Sequence, residues 1–292
     1  MHACNRERCN AMSRASYCTV GLTDRDIEAA LDSIAAAGFR HTELLGQAPH
    51  IAEPLVGKAL SDFRRRLVAR GLDASNVHAP MNREILGAPE ENWRQEAVGI
   101  LAGYIRFAAG VGAPGIVIHP SPNPIFLENP DDPVLPALVS DAVRRSLDDL
   151  TPVAEAAGVR ILLENLPRPA GYPYADMTDL RALVDAYPES LVGLVLDTGH
   201  AWVQRKDPAD EIRIAGPRLY GVHLQDVDYD APQDSHWVPT WGGLDCPGIL
   251  DALQNVNYTG MYTLESQHGR AGETRDEVLR ESYRVAGEWG VA

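Results

Sequence analysis

From about Ser16 to the C-terminus, short apolar runs alternate with longer stretches whose apolar positions recur every three or four residues. Ser16–Val20 reads as a strand and Asp24–Ala37 as a helix, because Ile27, Ala30, Leu31 and Ile34 share one helical face. Thr23 is the expected N-cap of that helix and Gly38 its expected stop. The same alternation predicts strands at Thr42–Leu45, Ser75–His78, Gly115–His119, Arg160–Glu164, Gly193–Asp197, Leu219–His223 and Met261–Glu265. Helical spacing follows at Leu60–Arg70, Trp93–Val111, Val134–Ala157, Thr178–Ala186, a short Ala209–Ile214, Pro247–Asn255 and Glu273–Trp289.

Segments such as Ile116-Val117-Ile118 and Ile161-Leu162-Leu163 are apolar at every position, which suits a parallel sheet covered on both faces. Eight strand–helix units predict an α/β protein, a single (β/α)8 barrel over residues 16–292, with residues 1–15 as a frayed tail. A length of 292 residues fits one undivided barrel. Closure matters for chemistry: a barrel delivers all eight strand ends to one mouth, whereas an open sheet spreads them along a crevice.

Those strand ends and the loops behind them are where the unusual residues fall. They carry five acids and five histidines: His78, His119, Glu164, Asp197, His200, His223, Asp226, Asp234, His236 and Glu265. Each has an ordinary explanation alone, such as a hydrogen-bonded histidine, a turn cap at Asp197, or a Glu164–Arg168 ion pair. All of those would have to choose the same end of the barrel independently. Charged groups leaving apolar strands need partners, and a divalent ion satisfies many at once. Glu164, Asp197, His223 and Glu265, from the fifth to eighth strands, form a mixed oxygen and nitrogen donor set suited to Mn²⁺, Co²⁺, Zn²⁺ or Mg²⁺.

Composition narrows the partners. A net charge of −15 argues against a nucleic acid, and the Arg64-Arg65-Arg66 cluster reads as the solvated face of a helix. No apolar run is long enough for a bilayer and no secretory signal is evident, so the cytoplasm is the expected address. Cys4, Cys9, Cys18 and Cys246 make no disulfide framework, and the spacing of the first two fits no familiar zinc pattern.

Leu196-Asp197-Thr198-Gly199-His200, His223-Leu224-Gln225-Asp226, and Asp234-Ser235-His236 with Gly242-Gly243-Leu244-Asp245 together resemble the xylose isomerase-like barrel superfamily. That superfamily contains sugar isomerases and epimerases and endonuclease IV. The resemblance implies that Glu164, Asp197, His223 and Glu265 hold the metal, and that the two glutamates also serve as acid and base. It also implies a nine-residue set, adding His78, His119, His200, Asp234 and His236, that would hold up to three zinc ions in an endonuclease IV-like enzyme.

The expected function is a divalent-metal-dependent isomerase or epimerase of a sugar or related hydroxy-ketone, working by proton transfer through a metal-stabilised enediolate. One ion is favoured over three. His200 would orient or protonate a substrate oxygen, and His78, His119, Asp234 and His236 would bind further ions or substrate. Asn165, Arg168 and Trp241 would contact the substrate. The competing expectations are a multinuclear zinc phosphoesterase, a dehydratase or lyase using the same enolate chemistry, and a non-catalytic barrel. Family resemblance also implies a homo-oligomer.

Overall fold

A computed structural model of the chain describes residues 13–168 and 172–292. Cys4, Cys9 and most of the expected tail lie outside the described residues. Eight strands are present: β1 (Ala15–Cys18), β2 (His41–Leu45), β3 (Asp73–His78), β4 (Gly115–Ile118), β5 (Arg160–Glu164), β6 (Val192–Asp197), β7 (Leu219–Leu224) and β8 (Met261–Leu264). All neighbours pair in parallel in chain order, and β1 pairs with β8, so the sheet is a closed barrel. The helices are α1 (Ile27–Ala37), α2 (Gly57–Ala69), α3 (Glu91–Val111), α4 (Leu135–Ala157), α5 (Met177–Val184), α6 (Thr198–Val203), α7 (Pro208–Ala215), α8 (Cys246–Asn255) and α9 (Arg275–Glu288).

The two-residue period of a strand sorts its side chains. Ile116, Ile118, Ile161, Leu163, Leu194 and Leu196 point outward and belong to the main core beneath the helices. Val117, Leu162 and Val195 point inward and form a separate cluster inside the barrel. Two residues further along the same inward rows come His119, Glu164 and Asp197. Apolar packing below and polar side chains above are therefore consecutive layers of one barrel interior.

Some boundaries differ from those the sequence predicts. Residues Thr19–Leu22 form a 3-10 turn rather than extending the first strand, and Thr23 ends that turn. Asp26, not Thr23, caps α1, its carboxylate accepting from the Ala29 amide. Gly38 does terminate the helix, in the left-handed region at φ 112. Ala15 belongs to β1, and Arg14 donates to the carbonyls of Tyr258 and Gly260. The short helix α6 was not anticipated. Arg66 and Arg70 pair with Glu28 on α1, as expected of a solvated helix face.

Among the described residues, no helix is long and apolar enough to cross a membrane. Cys18 and Cys246 are both buried and free.

The packing predicts a contrast in stability. Leu147 on α4 is fully buried in the main core, so Leu147→Ala should cost about 2–5 kcal/mol in urea unfolding. Exposed Arg65→Ala should stay within about 0.5 kcal/mol. Equal effects of the two would contradict the layer assignment.

Candidate metal centre and catalytic pocket

The C-terminal ends of the strands converge on a cavity of about 310 Å³, lined by His78, His119, Glu164, His200, Asp234 and Glu265, among others. Glu164 stands at its centre, with three imidazoles around one carboxylate. Its Oε2 lies 3.2 Å from His78 Nε2 and 3.3 Å from His119 Nε2, and its Oε1 lies 2.9 Å from His223 Nδ1. Glu265 Oε2 is 2.8 Å from the same His223 nitrogen.

The Asp197-Thr198-Gly199-His200 motif is a strand-to-helix turn in which each residue has a task. Asp197 caps α6 by accepting from the His200 amide at 2.7 Å. Thr198 Oγ1 donates to the Gln225 carbonyl at 2.7 Å, tying β6 to β7. Gly199 leaves the space occupied by Gln225: a Cβ there would stand 2.4 Å from the Gln225 amide carbon. Gln225 Nε2 then donates to Asp197 Oδ1 and to Asp234 Oδ1, each at 3.1 Å, and its Oε1 accepts from the His236 amide. One amide thus binds the β6 turn to the loop after β7.

Three histidines have one ring nitrogen fixed by a backbone carbonyl. Nδ1 of His78 lies 2.8 Å from the Ala79 oxygen, Nδ1 of His200 lies 2.9 Å from that of Asn165, and Nδ1 of His236 lies 3.0 Å from that of Glu265. Donation to a carbonyl requires a proton on Nδ1, so in the neutral ring Nε2 carries the lone pair that faces the cavity. His200 Nε2 and His236 Nε2 converge on Asp234 Oδ1, at 3.3 and 3.0 Å.

Electrostatics are set by burial against these contacts. Burial alone would neutralise Glu164, yet His223, His119 and His78 hold its carboxyl well below the usual range. Burial pushes Asp197 up to about 6. Burial disfavours the charged ring of His236, but Asp234 overrides it and raises the ring to about 9. His119 moves the other way, lowered chiefly by burial.

The donor chemistry fits divalent ions. Every ion-pair partner that the described residues give Glu43, Glu164, Asp197, Glu265 and Asp234 is an imidazole; no lysine or arginine reaches them. The ligand atoms of Glu164, Asp197, His223 and Glu265 lie within 4.8 Å of one another, so the four could share one ion. Three further groups meet the same limit: His78 with His119 and Glu164; His200 with Asp234 and His236; and His78 with His223 and Glu265.

The structure separates the other expected site residues. Arg168 lines the cavity and makes no ion pair with Glu164. Asn165 is buried and does not line the cavity; its side chain clamps the backbone of Asp197 at 2.7 and 3.0 Å. Trp241 packs with Val238, Val278 and Trp289 behind the loop after β7 and does not line the cavity. Asp226 accepts from the amides of Thr240, Gly242, Gly243 and Leu244, which makes it the organiser of that loop. Glu43 was missed. It is fully buried on β2 beneath His223, and its signal was an ionisable residue inside an apolar strand rather than at its exit.

The chain belongs to the xylose isomerase-like TIM barrel family, whose model matches residues 31–288. Within that class, it is similar to D-psicose 3-epimerase of Enterocloster bolteae, with 31% identity over 134 residues, 46% of this chain and 42% of that protein. In structure it resembles the apo form of 3-keto-D-glucoside 4-epimerase, YcjR, from E. coli, with a TM-score of 0.77, 19% identity, and 95% and 100% of the two chains covered. It also resembles the IOLI protein with a binding zinc atom, with a TM-score of 0.77, 16% identity, and 96% and 98% covered.

Two glycines test the turn geometry. Gly199→Ala would drive Gln225 off its bridge and should cost about 1–3 kcal/mol in denaturant unfolding. Gly287→Ala on α9 meets nothing within 4 Å and should be neutral or stabilising by up to about 1 kcal/mol. A neutral Gly199→Ala would show that the Gln225 bridge does not depend on the small residue.

Proposed function

We propose that the chain is a divalent-metal-dependent isomerase or epimerase of a small sugar or related hydroxy-ketone. The observation that carries this reading is the convergence of two glutamates, one aspartate and one histidine, from four consecutive strands, on one point, with both glutamates also lining a sugar-sized cavity. Family membership and the epimerase relatives support it.

Glu164, Asp197, His223 and Glu265 would hold the ion, whose chemistry is Lewis-acid polarisation of a carbonyl and its neighbouring hydroxyl. Glu164 and Glu265 approach that point from β5 and from the end of β8, with β6 and β7 between them. One glutamate removes the proton from the carbon next to the carbonyl, and the other returns a proton to the opposite face or the adjacent carbon. Positioned groups of this kind contribute about 10²–10⁴-fold each. His200, fixed by the Asn165 carbonyl, directs Nε2 at substrate oxygens, and Arg168 donates to others from the cavity wall.

The clusters around the central set favour a second reading. Nine residues, including His78, His119, Asp234 and His236, divide into groups able to hold three ions, with Glu164 shared. Such a set would serve a zinc phosphoesterase, in which ions activate water and stabilise a leaving oxygen. Counting the ions bound per chain and assaying products separates the two. One ion with exchange of a substrate carbon-bound hydrogen supports the isomerase; three zinc ions with phosphate-ester cleavage supports the hydrolase.

Glu164→Gln, checked for retained metal, should lower solvent-hydrogen exchange at the substrate carbon by at least about 10²-fold; undiminished exchange would remove Glu164 from its role. The pH dependence has a defined sign. Asp234 holds a proton on His236 up to about 9, and a ligand must shed its proton to bind an ion. Ion affinity at the Asp234 cluster should therefore rise with pH through the neutral range and fall on acidification. The change should be up to about tenfold per pH unit for each proton displaced. Calorimetry in buffers of different ionisation enthalpy reads those protons; binding without proton release contradicts the assignment.

A further inference from the structure

His223 breaks the pattern of its neighbours. His78, His200 and His236 each direct Nδ1 at a backbone carbonyl and Nε2 at the cavity. In His223 the ring is reversed. Its Nδ1 faces Glu164 and Glu265, at 2.9 and 2.8 Å, and no backbone carbonyl receives Nε2. Instead Nε2 lies 2.8 Å from Oε1 of Glu43.

Glu43 reaches His223 across the barrel interior, from β2 to β7. Its other oxygen, Oε2, accepts from Asn76 Nδ2 at 3.2 Å, the neighbouring position in the β2–β3 register. Asn76 fits because residue 115 is glycine: a Cβ there would stand 2.7 Å from Asn76 Oδ1. Glu43 Oε1 and His223 Nε2 are both buried and neither makes a hydrogen bond. They lie 2.8 Å apart but off the axis of an ideal hydrogen bond, so each retains bonding capacity that a small rotation would direct at the other. Leaving either unpaired in the interior is costly.

We propose that Glu43 is a positioning residue for the metal centre: by accepting from the Nε2–H of His223, it fixes the tautomer whose Nδ1 lone pair faces Glu164 and Glu265. Glu43 does for His223 what backbone carbonyls do for the other three rings. A carboxylate behind a ligating imidazole orients the ring and increases its donor strength. Asn76 in turn holds the carboxylate, giving a chain from Asn76 through Glu43 to His223. Glu43 does not line the cavity and acts only through the imidazole.

The inference rests on the metal-centre reading and deepens it. Zn²⁺ affinity is measured by chelator competition on wild type and on Glu43→Gln, with unfolding of the metal-free proteins as the control for folding. With one acceptor oxygen in place of two, the amide must present its NH2 to either Asn76 Nδ2 or His223 Nε2, both of which are donors. The tightest Zn²⁺ should therefore bind about 10–100-fold more weakly, with the metal-free fold retained. Histidine-selective ¹⁵N NMR of the zinc-loaded wild type should find His223 protonated on Nε2 and bound through Nδ1, a result that needs no variant. Equal zinc affinity of Glu43→Gln, or a proton on Nδ1 of zinc-loaded His223, overturns the inference and leaves the metal centre standing. Failure of the wild type to bind any divalent ion overturns both.

Discussion

Ionised groups buried without conventional counterions are the constraint on which the site depends. Glu43, Glu164, Asp197 and Glu265 are each at most 3% exposed, and transfer of a carboxylate into such surroundings costs several kcal/mol even after relaxation. Their nearest cationic partners are imidazoles; burial works against the charge of these rings, but the neighbouring carboxylates raise His78, His200 and His223 above the ordinary histidine range. Guanidinium or ammonium groups would have balanced the carboxylates permanently but would have filled the cavity. Imidazoles balance them reversibly and can surrender a proton for an ion. The choice of histidine over arginine is thus what leaves this end of the barrel able to do chemistry.

The barrel provides the means of gathering those groups. Each strand alternates between the helix layer and the interior, so one register fixes both an apolar plug and the polar layer above it. Val117, Leu162 and Val195 lie two residues before His119, Glu164 and Asp197, and a one-residue slip would turn both sets toward the helices and bring Ile118, Leu163 and Leu196 into the interior. The supporting contacts are short and local. Asn165 clamps the backbone of Asp197, Gln225 joins Asp197 to Asp234, and Asp226 gathers the amides of the loop that carries His236. Folding stability and site geometry are therefore carried by overlapping residues on β6 and β7.

Much of this was legible in the residues themselves. The alternation of apolar strands with amphipathic helices defined the barrel, because buried parallel strands and surface helices have different periods. Polar residues leaving those strands singled out Glu164, Asp197, His223 and Glu265, since solvation makes such positions conspicuous, and the fold brings the four side chains together. Glu43 escaped because it sits mid-strand, where an inward carboxylate is invisible until the opposite wall is known. Trp241 was misplaced because an aromatic ring on a mouth loop can turn to either side, and here it turns toward α9. Asn165 looked like a substrate contact, whereas its short amide spans the gap between β5 and β6. Thr23 lost its cap to Asp26 because the preceding 3-10 turn consumes Thr23, a local competition that spacing does not reveal.

Shared ligation of one cation by side chains from four strands is the claim that everything else serves. Anomalous X-ray diffraction from crystals grown with Mn²⁺ or Zn²⁺, recorded on either side of the metal absorption edge, locates such an ion directly. A peak within bonding distance of Glu164, Asp197, Glu265 and His223 Nδ1 is the expected result. Ions bound only outside that group, or none there at saturating metal, would contradict it.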